Sequence, residues 1–89
     1  MINVGDFNFK IIENNRDCFD KVEFESLFTD YFYEYDYIVG DYAYGKLRLK
    51  GFFKDANKRC KEVNKFSNKE KYIKENCAYQ CKYFVLERI

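Results

Sequence analysis

The chain of 89 residues is too short for more than one hydrophobic core, so it predicts a single domain spanning residues 1–89. Its 47% hydrophobic and 21% aromatic residues exclude a disordered chain, which would lack large apolar side chains. The net charge of +1 excludes nothing, but residues 1–45 carry −7 and residues 46–89 carry +8. This asymmetry indicates a nucleic acid or an acidic partner, unless the two halves face each other in the fold and cancel.

The first half of the chain predicts a strand followed by a helix. Apolar and polar residues alternate over Phe7–Ile11, which predicts a half-buried strand continuing to about Glu13. Asp17 or Asp20 then caps a helix, with a break expected near Thr29. The predicted apolar face of this helix consists of Phe24, Leu27, Phe28, Tyr31, Phe32 and Tyr35.

The second half predicts a hairpin, a short helix and a last strand. The hairpin pairs Tyr37–Tyr42 with Lys46–Phe53, a basic loop follows, and a capping box at Ser67–Glu70 starts a helix that runs to about Cys77. The apolar run Lys82–Leu86 predicts a central strand. The order β-α-β-β-α-β is that of a ferredoxin-like split β-α-β sandwich. We therefore predict an α+β fold, with two helices packed on a mainly antiparallel sheet.

The hairpin allows two registers. A three-residue loop, Ala43 to Gly45, places Lys46, Arg48 and Lys50 on one face with Tyr42, Gly40 and Ile38. A two-residue loop instead places Asp41 opposite Arg48 as a cross-strand ion pair. Because glycine in the last loop position favours the longer loop, we expect the first register.

In that register the hairpin is a candidate surface for nucleic acid. Its basic side chains would lie about 7 Å apart, a spacing that suits successive phosphates. The missing side chain at Gly40 would let a base or ribose approach. The candidate nucleic-acid-binding residues are Lys46, Arg48, Lys50, Tyr42, Gly40 and Lys54. The alternative is a solvated face whose lysines keep a sheet edge from associating.

The residues around Gly51 also invite comparison with RNA-recognition domains. Lys50-Gly51-Phe52 resembles the start of the motif that such domains carry on their third strand. The match ends at Phe53, where glycine or alanine is required, and at Lys54, where an aromatic residue is required. A core position for the two phenylalanines is therefore the better interpretation. Residues 46–74 still hold eleven basic and three acidic side chains, the composition of a phosphate-contacting surface.

A non-catalytic module that contacts RNA or an RNA–protein assembly is the leading functional hypothesis. The alternative is a protein–protein adaptor whose acidic first helix docks a basic partner, with tyrosines adding contact area. The residues assigned to that docking surface are Asp17, Asp20, Glu23, Glu25, Asp30, Glu34 and Asp36, with Tyr31, Tyr33 and Tyr35.

The sequence predicts no catalytic residues, no metal site and no cofactor. It has no histidine, the commonest general base, and no phosphate-binding loop. Cys77 and Cys81 are four residues apart, whereas zinc knuckles and thioredoxin-like sites need C-x-x-C. The odd spacing of Asp36 and Asp41 places their side chains on opposite faces of a strand.

We expect a cytoplasmic protein without membrane contact. No run of about 18 apolar residues is present, and the first residues lack the pattern of a signal peptide. In the cytoplasm the four cysteines would be reduced thiols.

Two segments identify a family resemblance. Tyr35–Phe53 reads YDYIVGDYAYGKLRLKGFF and resembles the hallmark YDYIVGDxxYGxLRLKGFF of the YutD-like proteins, small proteins of mostly Gram-positive bacteria. Cys77–Leu86 resembles that family's C-terminal C-x-x-x-C and apolar strand. Tyr42 departs from the tryptophan expected there. The resemblance implies a small cytosolic α+β domain and implies no particular activity.

Overall fold

A computed structural model describes residues 2–76 and 82–89 of the chain. The described residues form one five-stranded sheet in the order β1-β2-β5-β3-β4, and every neighbouring pair is antiparallel. The elements are β1 (Ile2–Val4), β2 (Phe7–Asn14), α1 (Lys21–Leu27), β3 (Tyr37–Ala43), β4 (Lys46–Phe52), α2 (Lys69–Asn76) and β5 (Tyr83–Arg88). Four short 3₁₀ turns lie at Asn15–Asp17, Asp30–Phe32, Glu62–Asn64 and Phe66–Asn68.

The α+β class with an antiparallel sheet is confirmed, and β5 is the central strand that its apolar run predicts. β5 pairs with β2 on one side and β3 on the other, and Phe84, Val85 and Leu86 are fully buried. The sheet contains a split β-α-β unit, because β2 and β3 both run antiparallel to β5 and are therefore parallel to each other with β5 between them. The ferredoxin-like sandwich is nevertheless not observed, because the two described helices cover opposite faces of the sheet. β1 was not predicted; it folds onto β2 through a turn in which Gly5 takes a φ of +58°.

The two helices lie on opposite faces of the sheet. Successive strand residues point to opposite faces, so each strand contributes to two cores. On the α1 face the buried residues are Phe9, Phe24, Ile38, Phe84 and Leu86. On the α2 face they are Val39, Phe52 and Val85, covered by Phe66, Tyr72 and Ile73. The sheet therefore separates an α1 layer from an α2 layer.

The first helix begins and ends close to where the sequence predicts. The carboxylate of Asp20 accepts a hydrogen bond from the backbone N–H of Glu23 at 3.2 Å, which confirms one of the two predicted caps. The helix ends after Leu27, and Asp30–Phe32 forms a separate turn, so the break near Thr29 is also confirmed. The predicted apolar face is only partly used, because Leu27 and Tyr31 remain exposed.

The start of the second helix differs from the prediction. Ser67 lies inside the turn Phe66–Asn68 rather than at the cap, and its backbone N–H donates to Asp55 at 3.1 Å. The segment between β4 and α2 is held to the sheet by a parallel bridge between Phe53 and Lys65. The predictions for Cys77 and Cys81 fall outside the described residues.

Candidate binding surfaces

The hairpin has the shorter loop, so the register expected from the glycine position is wrong. Ala43 pairs with Lys46 and Asp41 with Arg48, which leaves a loop of Tyr44 and Gly45. Both loop residues take positive φ, +54° and +75°, as a type I′ turn requires. The strand twist favours this turn enough to place tyrosine in a conformation that L residues seldom adopt.

This register divides the candidate nucleic-acid-binding residues between two faces. Lys46, Arg48 and Lys50 lie on the α2 face, whereas Gly40 and Tyr42 lie on the α1 face. The Phe84 ring occupies the space over Gly40 so closely that an added Cβ would overlap it. Gly40 therefore accommodates a core ring, and the expected approach of a base or ribose is wrong.

Tyr42 serves the packing of the α1 layer. Its hydroxyl donates to the backbone carbonyl of Cys18 at 3.3 Å, which ties β3 to the chain just before α1. Burial and the nearby Glu23 carboxylate raise the pKa of the Tyr42 phenol. The phenol is thus held neutral, as a hydrogen-bond donor.

Arg48 is committed to an ion pair with a buried acid. Its guanidinium lies 2.5 Å from the carboxylate of Asp41, whose side chain is 1% exposed. This hydrogen bond raises the pKa of Arg48. Removing the Arg48 side chain would leave the buried Asp41 carboxylate without its counter-charge. The main role of this side chain is therefore to stabilise the fold.

The remaining candidate lysines differ in their surroundings. Lys46 is exposed, and Lys50 lies with its ammonium 5.8 Å from the centre of the Phe52 ring. Lys50 also lines an open groove of about 410 Å³ that includes Glu62 and Glu75, so acids face it there. Lys54 is exposed and its backbone N–H donates to Asp36 at 2.8 Å.

The two phenylalanines after Gly51 are buried, as the core interpretation predicts. Phe52 and Phe53 are 0% and 3% exposed. Phe66 stacks on Tyr37 with ring centroids 3.6 Å apart. Among the described residues of the basic half Phe66, Tyr72 and Tyr83 are half-buried, whereas Tyr44, in the hairpin loop two residues before Lys46, is fully exposed.

The charge asymmetry is partly internal and partly displayed. Within the described ranges, four ion pairs join the acidic half to the basic half: Asp41–Arg48, Glu34–Arg59, Glu13–Lys69 and Asp36–Arg88. The charges outside these pairs remain unevenly divided between two parts of the chain. Residues 17–34, in the α1 layer, then carry five acids and one base, whereas residues 46–76 carry eight bases and four acids.

We call the exposed side chains of residues 17–34 the acidic face. It displays large apolar side chains: Val22 is 79% exposed, Tyr31 65% and Tyr33 45%, and the Tyr33 ring also packs against Phe7 and Phe28. Asp36, predicted to belong to this surface, instead lies inside, where it accepts from Lys54 and Asn57 and pairs with Arg88. Val22 was missed because it falls outside the helical apolar spacing, which finds core residues and overlooks exposed ones.

Within the part of the chain that is described, no three His, Cys, Asp or Glu side chains converge as they would around a metal ion. None of its helices has the length and apolarity needed to cross a membrane.

The comparisons with known proteins agree on one family. The sequence model described as "Putative antitoxin YutD-like" matches residues 3–87. The chain belongs to the YutD-like family. A Bacillus subtilis (strain 168) protein named "Putative antitoxin YutD" is 44% identical over 89 residues, which are 100% of this chain and 98% of the relative.

A solved structure supports both the family and the fold. The solution NMR structure of protein yutD from B. subtilis is 44% identical and superposes with a TM-score of 0.82 over 100% of this chain and 81% of that one. In this YutD-like chain the hallmark forms the β3–β4 hairpin. Its glycines have structural tasks: Gly40 lies under Phe84, Gly51 lies against the Tyr35 ring, and Gly45 makes the turn.

Proposed function

We propose that this YutD-like chain is a non-catalytic binding protein of the antitoxin type, which docks a basic partner protein on its acidic face. The observation that carries the proposal is the display of Val22, Tyr31 and Tyr33 among six acids. A contiguous apolar patch rimmed by polar residues marks an interaction site, so the proposal requires that one partner contacts these three side chains together. Tyrosine adds contact area at low entropic cost and is enriched at interfaces.

The relative's name supports a binding role and indicates the partner. An antitoxin neutralises a toxin, and the acidic face fits a toxin protein with a basic patch through charge complementarity. Of the acids on this face, Glu25 pairs with Lys21 and Glu34 with Arg59, both at exposed positions. Exposed pairs of this kind contribute little, so these acids can exchange partners on docking.

A photo-crosslinking experiment with a growth assay tests this function. A photoreactive residue at position 22, in nuclease-treated lysate, should capture a protein partner, whereas the same residue at Lys71 of α2 should not. Co-expression of the captured protein should slow growth, and the parent chain should restore it. The double variant Val22→Arg/Asp30→Lys should fail to restore growth, while Lys71→Glu/Lys74→Glu on α2 should succeed.

The charge-reversed variants alter exposed side chains, so thermal unfolding should show all of them folded. If Val22→Arg/Asp30→Lys restores growth as well as the parent does, the acidic face is not the docking surface. Capture only from position 71 would move the partner to the α2 layer.

Nucleic-acid contact through the α2 layer is the second candidate function. It is favoured by the excess of basic residues in 46–76 and by Lys46 and Lys50, for which the described residues provide no ion pair. A salt titration of binding to single-stranded poly(U) tests it, because affinity must fall with salt if phosphates are bound. Lys46→Ala/Lys50→Ala should reduce the slope of log affinity against log salt by about 1.4, roughly 0.7 per lost contact. Arg48 is left intact because it neutralises Asp41.

A further inference from the structure

The outer edge of β4 is open along most of its length. β4 is the last strand of the sheet and pairs only with β3 within the described chain. At its end the chain itself covers the edge: Phe53 donates to the carbonyl of Asn64 at 2.8 Å and accepts from the N–H of Phe66 at 3.0 Å. The backbone groups of Phe53 therefore point away from β3.

The direction of Phe53 fixes the direction of every backbone group along β4. In an antiparallel strand, residues alternate between bonding to one neighbour and to the other. Gly51, Leu49 and Leu47 consequently present their N–H and C=O groups to the outside, as Phe53 does. The two-residue loop independently indicates the same alternation. Ala43 and Lys46 flank this turn and bond to each other, so the backbone groups of Lys46 point to β3 and those of Leu47 point outward.

From this geometry we infer that the β4 edge, Lys46 to Lys50, binds an extended segment of a partner protein as an additional strand. Four backbone groups of Leu47 and Leu49 lack partners within the described chain and would pair with it. The segment 64–66 already uses the same edge, which shows that the geometry accepts a strand.

The side chains along the edge specify the chemistry of the segment. Side chains next to Lys46 and Lys50 would lie on the α2 face, where acidic groups complement the two ammonium groups. Side chains next to Leu47 and Leu49 would lie on the α1 face, where apolar groups extend contact with half-buried leucines. The segment therefore alternates acidic and apolar residues. A second copy of β4 does not fit, because it would bring like charges together.

This inference concerns a different surface from the acidic face and does not depend on the proposed function. Amide hydrogen exchange tests it, with a capped peptide that alternates glutamate and valine. Saturating peptide should slow exchange at Leu47 and Leu49 at least tenfold. Arg48 and Lys50 provide an internal control, because their N–H groups already bond to β3 and should not change.

Two N-methylated peptides test the direction of the added strand. Methylation at the valines blocks pairing as an antiparallel strand, and methylation at the glutamates blocks pairing as a parallel strand. One of them should bind at least tenfold more weakly than the parent peptide. A peptide with lysine in place of glutamate should also bind at least tenfold more weakly. Lys46→Glu/Lys50→Glu should reverse that preference.

Unchanged exchange at Leu47 and Leu49 under saturating peptide would overturn the inference. Equal binding of both N-methylated peptides would do the same, since backbone pairing would then play no part. Binding of poly(U) without binding of any peptide would assign the lysines to nucleic acid instead.

Discussion

At the scale of single residues, Gly40 is the position on the α1 face with the least space for an added side chain. The Phe84 ring fills the space of its absent side chain. Gly40→Ala should therefore destabilise the fold by about 1–3 kcal/mol, because a methyl group forces an overpacked core to shift. Denaturant unfolding measures the change.

The control for Gly40 is a double-mutant cycle with Phe84→Leu. The smaller side chain leaves room for the methyl group, so the two costs should sum to clearly more than the cost of the double variant. Additive costs would mean that Phe84 is not what the new methyl group meets.

Tyr35 gives the fold an alkaline limit. A hydrogen bond to the Tyr31 hydroxyl and then burial raise the pKa of Tyr35 to about 12, from 10. The folded state favours the neutral phenol, so this stabilisation is complete below pH 10 and is lost as the pH rises towards 12. Unfolding free energy should fall in that window, and less steeply in Tyr35→Phe.

Tyr31→Phe provides the matched test, because it removes the hydrogen-bond partner and keeps both rings. It should shift the phenolate titration of Tyr35 towards ordinary values. If it leaves that titration in place, the hydrogen bond to Tyr31 is not what raises the pKa of Tyr35.

At the scale of elements, the turn of the hairpin determines which side chains share a face. Tyr44 is fully exposed and takes a φ of +54°, so its ring contributes no packing while its backbone is strained. Tyr44→Asn should stabilise the fold by about 0.5–1 kcal/mol, because Asn-Gly is the preferred type I′ pair. The denaturation midpoint should rise.

Tyr44→Val removes the same ring and supplies a β-branched residue, which tolerates positive φ poorly. It should lower the denaturation midpoint. A three-residue loop would give neither result, so the pair of variants also tests the register in solution.

This turn shows what the sequence could and could not predict. The strands β2 to β5, the first helix cap, the break after Leu27 and the central place of β5 follow from local patterns and were predicted. The two registers differ by one residue in the length of the loop. The ion pair between Arg48 and the buried Asp41 favours the short loop, as does the strand twist, and together they outweigh the backbone strain at Tyr44. A rule based on the glycine position does not include either term.

The placement of the helices was beyond local patterns for a related reason. The buried parts of β3 and β4 are apolar on both faces of the sheet. The alternation of side chains therefore does not predict which helix covers which face. That choice sets the environment of Lys46, Arg48 and Lys50. The candidate nucleic-acid-binding residues, which the sequence predicted on one face, therefore meet two different layers.

At the scale of the whole molecule, part-buried ion pairs connect the layers. Lys69 of α2 is 11% exposed and lies 3.1 Å from Glu13 of β2. Glu13→Gln should destabilise the fold by about 1–3 kcal/mol, because it leaves a largely buried ammonium without its counter-charge. Thermal or denaturant unfolding measures the loss.

Glu25→Gln is the matched control for that variant. It breaks a Glu–Lys pair in which both side chains are about half exposed, so it should change stability by less than about 0.5 kcal/mol. Similar losses for the two variants would contradict a special role for the pair between layers.

The separation of charge by the sheet has a consequence for the molecule as a physical body. Because residues 17–34 in the α1 layer carry an excess of acids, and β4 and α2 present an excess of bases on the other face, a chain of net charge +1 carries an electric dipole across its sheet. Near any charged surface it would experience a torque before it experiences a net pull, and would turn the complementary layer inward within about a Debye length, ~10 Å at 0.1 M salt. Such a molecule should be retained at low salt by cation exchangers and anion exchangers alike, and each would hold it by a different side.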